Sequence, residues 1–445
     1  MAPRLDPVSS ETELPRRADV VVIGGGIIGA ATAFFLAQRG VSVALCEKGQ
    51  IAGEQSGRNW GFCRQQGRDP RELPLIIEAL RIWRDIDHQI EGDTGFRQAG
   101  VMYLAHDEAT AAQRANWLDH ARPYQLDTRR VTSVELSQLL PGATRQWAGA
   151  LYTASDGRAE PQKAAPAIAN AIRRLGGKVL TQCAARGIET SGGRLSAVIT
   201  EKGPIACAAA VLAGGAWSRL FCRNLGIDLP QLKLRGSVLR TSPVQGVPEI
   251  SLWASGPNGF AIRKRLDGGF NVAHGGLSDI DLGPDHFRLL RPFWPAFAGE
   301  RSFFRLNLGR RFLEELREPK HWALDRAGPF EQVRMLDPKP SGDLLDQALA
   351  NLRAAFPAFN EARVEETWAG YIDGTPDAVP VISGVERLPG FYISTGYSGH
   401  GFGIGPGAGR LMADLVMGAS PIVDPAPFRF DRFADGSKIE VISGF

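Results

Sequence analysis

Three glycines, Gly24, Gly26 and Gly29, are spaced as Gly-x-Gly-x-x-Gly directly after the apolar run Val20-Val21-Val22-Ile23. Glycine at these positions allows a tight exit from a strand, close approach of backbone N–H groups to a pyrophosphate, and close packing of the following helix on the sheet. Glu47 ends a second strand-like run, Val41 to Cys46, at the spacing where a carboxylate meets a ribose hydroxyl. The phosphates of a dinucleotide would face the positive end of the helix between these runs. The spacing alone also fits an ordinary buried βαβ unit. The alanine-rich helix Ile28 to Gln38, its stop at Gly40 and the placement of Glu47 favour the dinucleotide turn.

Two further stretches repeat the pattern of a strand running into glycines. Ala208 to Ser218 reads as a buried strand that ends in Gly214-Gly215. Near the C-terminus, a strand over 390–394 precedes Gly396-Tyr397-Ser398-Gly399-His400-Gly401-Phe402-Gly403-Ile404-Gly405-Pro406-Gly407, and Ala408 to Met417 reads as a helix behind this loop. A helix N-terminus behind a glycine-rich loop is a second candidate anion site. The segment from Lys48 to Phe62 is too polar and glycine-rich for a regular element and reads as a long functional loop. No nucleophile elbow and no metal-like constellation of histidines is present, so the expected metal content is none.

These groups need a scaffold of more than one core. At 445 residues the chain is long enough for two or three domains, and 44% hydrophobic with 22% charged residues is an ordinary globular balance. The net charge of +3 gives no reason to expect nucleic acid, and the basic stretch Arg301 to Arg317 reads as a solvated helix face. Five scattered cysteines without a Cys-x-x-Cys pair fit a reducing compartment. With no apolar signal segment and no run of about 18 apolar residues, the expectation is a soluble cytoplasmic protein with a disordered arm over residues 1–17. A helix with Leu73, Ile76, Ile77, Leu80, Trp83 and Ile90 on one face follows the long loop. Pro161 to Leu175 is helical, Gly192-Gly193 and Asp267-Gly268-Gly269 are hairpin turns, and Leu345, Leu349 and Leu352 form the stripe of a helix over 342–355. The segment between Gly226 and Glu365 carries antiparallel strands and reads as a separate domain.

Taken together, Gly24-x-Gly26-x-x-Gly29 with Glu47, Leu212-Ala213-Gly214-Gly215-Ala216-Trp217-Ser218, and Thr375-Pro376-Asp377 followed by Gly396 to Gly403 resemble the D-amino-acid oxidase superfamily of FAD enzymes. That family includes glycine oxidase, monomeric sarcosine oxidase and the D-amino-acid dehydrogenases. The resemblance implies an α/β fold: a discontinuous Rossmann-like FAD-binding domain over 18–92, 151–225 and 366–430, an α+β substrate domain with a largely antiparallel sheet over 93–150 and 226–365, and a tail over 431–445. It implies that Glu47 holds the adenosine ribose, that Ser56, Gly57, Asn59, Trp60 and Gly61 lie near the flavin, and that the His400 loop closes over the pyrimidine end of the ring. Further cofactor contacts are expected from Gly24, Gly26, Ile28, Gly29, Lys48, Ala184, Ala213, Gly214, Trp217, Gly399, Gly401, Phe402 and Gly403. The implied chemistry is oxidation of an amine to an imine, with the Cα–H delivered as hydride to flavin N5. A helix beginning near Gly407 would stabilise negative charge on the reduced ring.

The chain departs from the family at several informative positions. The cysteine that carries covalent flavin in monomeric sarcosine oxidase is replaced by Gly370, so noncovalent FAD is expected. Gly403 stands where sarcosine oxidase has a carboxylate-binding lysine, and Ile372 lies near the arginine of glycine oxidase. The remaining anchor for a substrate carboxylate is Arg64, with Arg263 as a second candidate. Tyr371 and His400 complete the expected catalytic set. Asn271 takes the position of a lysine that promotes reaction with oxygen, which weakens the expectation of a fast oxidase. The expected partners are therefore a small amine or amino acid and either O2 or another acceptor such as a quinone, with a homo-oligomer or partner subunit possible. An NAD-dependent dehydrogenase, or a dinucleotide-binding module without turnover, stays open as the more remote reading.

Overall fold

In the computed structural model, which describes residues 2–256 and 258–442, the three glycine-bearing stretches converge on one parallel sheet. Its strand order is Val381–Gly384, Phe391–Thr395, Ala209–Leu212, Val20–Ile23, Val43–Cys46 and Lys178–Leu180, and only the first pair is antiparallel. The strand Val20–Ile23 is apolar throughout because both faces of the sheet are covered. Val20 and Val22 enter one core with the helices Ile27–Gln38, Leu73–Gln89, Pro161–Arg174 and Gly401–Met417. Val21 and Ile23 enter the opposite core with Trp217, Phe221 and the three-stranded antiparallel sheet over residues 185–206.

The second large sheet is mostly antiparallel. It runs Phe304–Asn307, Ser278–Asp281, Leu232–Thr241, Phe270–Ala273, Phe260–Lys264, Ser251–Ala254, Val101–Ala105, Gly149–Thr153 and Arg129–Thr132, with Val364–Gly374 on the other edge of Leu232–Thr241. The helix Gly342–Ala355 covers it through Leu345, Leu349 and Leu352, the stripe expected from the sequence. Val364–Gly374 pairs with Leu232–Thr241 along almost its whole length. The seams between the two sheets therefore fall later than positions 150 and 365, because Gly149–Thr153 and Val364–Gly374 hydrogen-bond as complete strands of the second sheet.

Two sequence expectations are corrected here. Residues 2–17 do not form a disordered arm: Asp6 N–H donates to Gln162 O at 3.1 Å, Glu11 N–H to Val179 O at 2.8 Å, and Leu5 and Val8 pack on the first core. The apolar residues spaced through this polar segment give it a surface to bind. After residue 430 the chain is held to the first domain by Arg432, which pairs with Asp377 at 2.9 Å.

The C-terminal helix begins at Gly401, not near Gly407. Its glycines are there for close packing. A Cβ on Gly405 would lie 2.8 Å from Ile27 Cγ1, one on Gly407 would lie 2.8 Å from Leu75 O, and one on Gly409 would collide with Ala31. Helix–helix contact this close needs small residues, so a composition that reads as a loop is a helix here.

Candidate active site

The turn between Ile23 and Ile27 has the geometry that its glycines require. Gly24 has φ +111°, and a Cβ there would collide with Ala213 O on the neighbouring strand. A Cβ on Gly29 would collide with Gly24 O, which accounts for the third glycine as a packing position behind the cleft. Glu47 leaves the end of the adjacent strand and accepts from Gly25 N–H and Gly49 N–H, each at 2.7 Å. Two backbone amides thus fix the carboxylate at the cleft wall. Burial raises its pKa, offset by Lys48 and these amides. Ser56 Oγ accepts from Ile27 N–H at 2.8 Å and so caps the helix that starts there.

One cavity of about 460 Å³ joins this turn to the second sheet. Gly24, Gly26, Ile28, Glu47, Lys48, Ser56, Ala213, Gly214 and Trp217 line its first part. Asn59, Trp60, Gly61, Gly399, His400, Gly401, Phe402 and Gly403 line the region where the cleft meets the second sheet. This donor set fits a dinucleotide, with a held carboxylate for ribose hydroxyls and a glycine turn at a helix N-terminus for phosphates. Lys48 is directed elsewhere, donating to Glu54 at 2.8 Å and Arg334 O at 2.7 Å, and so ties the loop to the segment 333–336. Trp217 Nε1–H donates to the same Glu54 at 2.9 Å.

Beyond the N-terminus of the helix Gly401–Met417, the cavity becomes a chamber walled by Phe62, Tyr103, Trp253, Leu277 and Phe303, with Arg64 and Arg68 entering from the loop after the strand Phe62–Cys63. Tyr103 and Trp253 face each other at 4.6 Å because their strands pair in parallel with these residues in register. Arg64 lies over Tyr103, 5.4 Å from the ring centre, and donates to Gln66 O. Arg68 is buried, with Nε donating to Arg64 O at 3.2 Å and Nη1 without a partner. Burial, reinforced by the charge of Arg64, pushes the Arg68 pKa down to about 10. His400 is also buried, and burial followed by the charge of Arg68 pushes its pKa down to about 4. The imidazole is therefore neutral throughout the physiological range.

The remaining residues expected at the site lie elsewhere. Arg263 is fully buried behind Trp60, donating to Trp60 O and to Glu160, both at 2.7 Å, and does not line the chamber. Asn271 lies beside it, 3.5 Å from Trp60 O. Tyr371 points to the opposite face of its strand, where its hydroxyl meets Asp281 at 3.3 Å and burial pushes its pKa up to about 12. Its neighbours Gly370 and Ile372 face the cavity, as alternation along a strand requires. Gly57 packs against Ala52 O, and Ala184 donates its N–H to Glu201 at 2.7 Å, while Ala185 takes the place at the cleft. Sequence reasoning missed Arg68, His274 and Asp373, all of which line the cavity. Asp373 is buried and accepts from Gln231, Thr395 and Gly396 N–H at 3.0, 3.0 and 2.6 Å, bracing the turn before His400.

A Rossmann-like sheet with a glycine turn, opening into a separate chamber on an antiparallel sheet, is the arrangement of a dinucleotide-dependent enzyme. The family model DAO, FAD dependent oxidoreductase, matches residues 19–415, and the chain belongs to this family. It is similar to the L-amino acid deaminase from Proteus myxofaciens, solved in complex with anthranilate, at 36% identity and a TM-score of 0.93, covering 98% of this chain and 97% of that one. It is 24% identical to sarcosine oxidase subunit beta of Arthrobacter sp, over 95% of this chain and 92% of the relative. It is also 24% identical to glycine oxidase of Pseudomonas putida, over 92% and 97% respectively. The protein is an FAD-dependent oxidoreductase of the amino-acid and amine-oxidising family. Among the described residues no helix is long and apolar enough to cross a membrane, and no group of metal-binding side chains is found.

Proposed function

We propose that this enzyme oxidises the C–N bond of an α-amino acid, primary or N-substituted, whose side chain is bulky and apolar. The observation that carries the reading is the chamber itself, in which Arg64 and Arg68 stand against walls of Phe62, Tyr103, Trp253, Leu277 and Phe303. An arginine beside an aromatic pocket holds a carboxylate by charge-assisted hydrogen bonds while the pocket takes the apolar side chain. FAD, when bound, supplies the acceptor for the two electrons and the hydrogen of Cα. Glu47, Gly24 and Gly26 would hold its adenosine and phosphate half, and Asn59 to Gly61 with Gly399 to Gly403 would hold the ring. The positive end of the helix Gly401–Met417 opens on the same space and favours negative charge there. The similarity to an amino acid deaminase along nearly the whole chain supports a primary amino acid over a secondary one.

Anaerobic titration of the holoenzyme with amino acids, N-methyl amino acids, iminodiacids and simple amines tests this reading. Bulky apolar amino acids should bleach the flavin at the lowest concentrations; equal bleaching by amines lacking a carboxylate overturns the assignment. The acceptor is proposed to be a quinone or a partner protein, since Asn271 stands where a lysine promotes reaction with oxygen. Dye-linked turnover should then exceed peroxide formation by at least about tenfold. FAD is proposed to be noncovalent: all five cysteines are buried free thiols and Gly370 faces the cavity. Acid precipitation should leave the yellow colour in the supernatant.

A further inference from the structure

Glu72 is completely buried at the start of the helix Leu73–Gln89, yet neither of its carboxylate oxygens has a hydrogen-bond partner. Its Oε2 lies 3.4 Å from His400 Nδ1, which is likewise enclosed and unpartnered. Arg68, four residues earlier, carries the third unpartnered buried group, Nη1, and its Nη2 donates to His400 O at 3.4 Å, so it reaches the residue that Glu72 meets from the other side, and the Glu72 charge acts on it. A buried carboxylate without donors is costly unless nearby opposite charge compensates it. Arg71, the other cation near Glu72, is already engaged by Asp69 at 2.8 Å and Asp377 at 3.7 Å. Tyr397, which also faces Glu72, stays a neutral phenol because burial raises its pKa. The uncompensated charge facing Glu72 is therefore that of Arg68.

We propose that Glu72 is a specificity-determining positioning residue: it cancels the charge of Arg68 from behind the chamber wall, so that the Arg64–Arg68 cluster presents one net positive charge and accepts one carboxylate. This rests on the amino-acid reading above and deepens it. Glu72 does not line the chamber, so it sets the charge that a substrate meets without touching the substrate. The neutral imidazole of His400 lies between Glu72 and the chamber and adds no charge to the balance. Two other acidic groups belong to the surroundings. Asp156 lies under the loop, accepting from Gln65 and Gln66 N–H at 2.8 and 3.2 Å, and burial pushes its pKa up to about 7. Glu300 lines the chamber on the Phe303 side. Measurements near pH 6 keep Asp156 mostly neutral, and Glu300 is common to all variants, so its contribution cancels in their ratios.

The test is a spectral titration of the FAD-loaded enzyme with benzoate and with isophthalate, a mono- and a dicarboxylate on the same ring. Wild type should prefer benzoate. Glu72→Gln, nearly isosteric, should shift the benzoate-to-isophthalate ratio of dissociation constants toward isophthalate by about tenfold or more, and Glu72→Asp should keep the wild-type ratio. Arg68→Met should weaken both ligands by about tenfold, and the double variant Arg68→Met/Glu72→Gln should recover benzoate binding to within about threefold. A wild-type ratio in Glu72→Gln overturns the proposal, as does failure of the double variant to recover. Where Glu72→Gln does not retain flavin, the double variant decides alone. A wild-type enzyme that binds neither carboxylate overturns the amino-acid reading itself, an outcome distinct from an unmoved ratio.

Discussion

At the scale of single residues, local spacing and tertiary register divide the site between them. Gly24, Gly26, Gly29 and Glu47 are legible because strand, turn, helix and second strand fix their geometry within one short βαβ segment. Arg263 and Tyr371 are not, because the face a strand residue presents depends on pairing partners distant in sequence: Tyr371 lies opposite Arg235, and Arg263 opposite Asn271. Arg68 and Glu72 belong to an irregular loop without period, and nothing local marks their charges as buried. Arg64, by contrast, is brought to the chamber with a carbonyl and an aromatic ring as neighbours. On the proposed reading, removing it takes away a charge-assisted contact with the substrate carboxylate, a loss of about 2 to 3 kcal/mol that should raise KM by about 30- to 160-fold with little change in flavin affinity. Tyr371→Phe, on the far face of its strand, should leave KM within about twofold. Steady-state kinetics of the two variants with the best bleaching substrate checks both outcomes.

At the scale of elements, the parallel strands, the helix Pro161–Arg174, both hairpins and the helix Gly342–Ala355 follow from periodicity and turn chemistry. The helix Gly401–Met417 does not. Glycine every second residue from 401 to 409 argues for a loop by propensity, since each costs about 1 kcal/mol relative to alanine. Tertiary packing overrides this, because each glycine from Gly403 to Gly409 lets another segment come close: Phe62 O for Gly403, Ile27 for Gly405, Ala79 for Gly407 and Ala31 for Gly409. The helix thereby clamps the first helix and the Arg64 loop, so its N-terminus is held where the two parts of the cavity meet. Gly409→Val should destabilise the protein by about 1 to 3 kcal/mol or more and reduce FAD retention, because the new side chain meets the backbone of Ala31 and Thr32. Gly299→Ala, in a helix where a Cβ meets nothing within 4 Å, should be neutral or slightly stabilising. Thermal melts and the flavin-to-protein absorbance ratio distinguish the two.

At the scale of the whole molecule, the two sheets are joined by polar ties that include Arg263 to Glu160, Gln231 to Thr395 and the carboxylate of Asp156. The Asp156 carboxylate accepts from Gln65 and Gln66 N–H in the arginine loop, while its own carbonyl accepts from Gly100 N–H at 2.9 Å beside the second sheet. Burial raises its pKa to about 7, from an unfolded value of about 3.9. The folded state therefore holds a proton that the unfolded state releases between these values. By linkage, its contribution favours the folded state fully below about pH 4 and is lost progressively as the pH rises to about 7, by at most about 4 kcal/mol. Above pH 7 both states are ionised and the effect is constant. Asp156→Asn keeps one acceptor and cannot ionise, so this pH dependence should vanish with it. Urea unfolding of wild type and Asp156→Asn at pH 5, 6, 7 and 8 should show wild type losing stability relative to the variant up to about pH 7, then running parallel to it. Parallel curves from pH 5 onward would show that Asp156 is already ionised in the fold, and that the tie between the sheets is made by a carboxylate and not by a protonated acid.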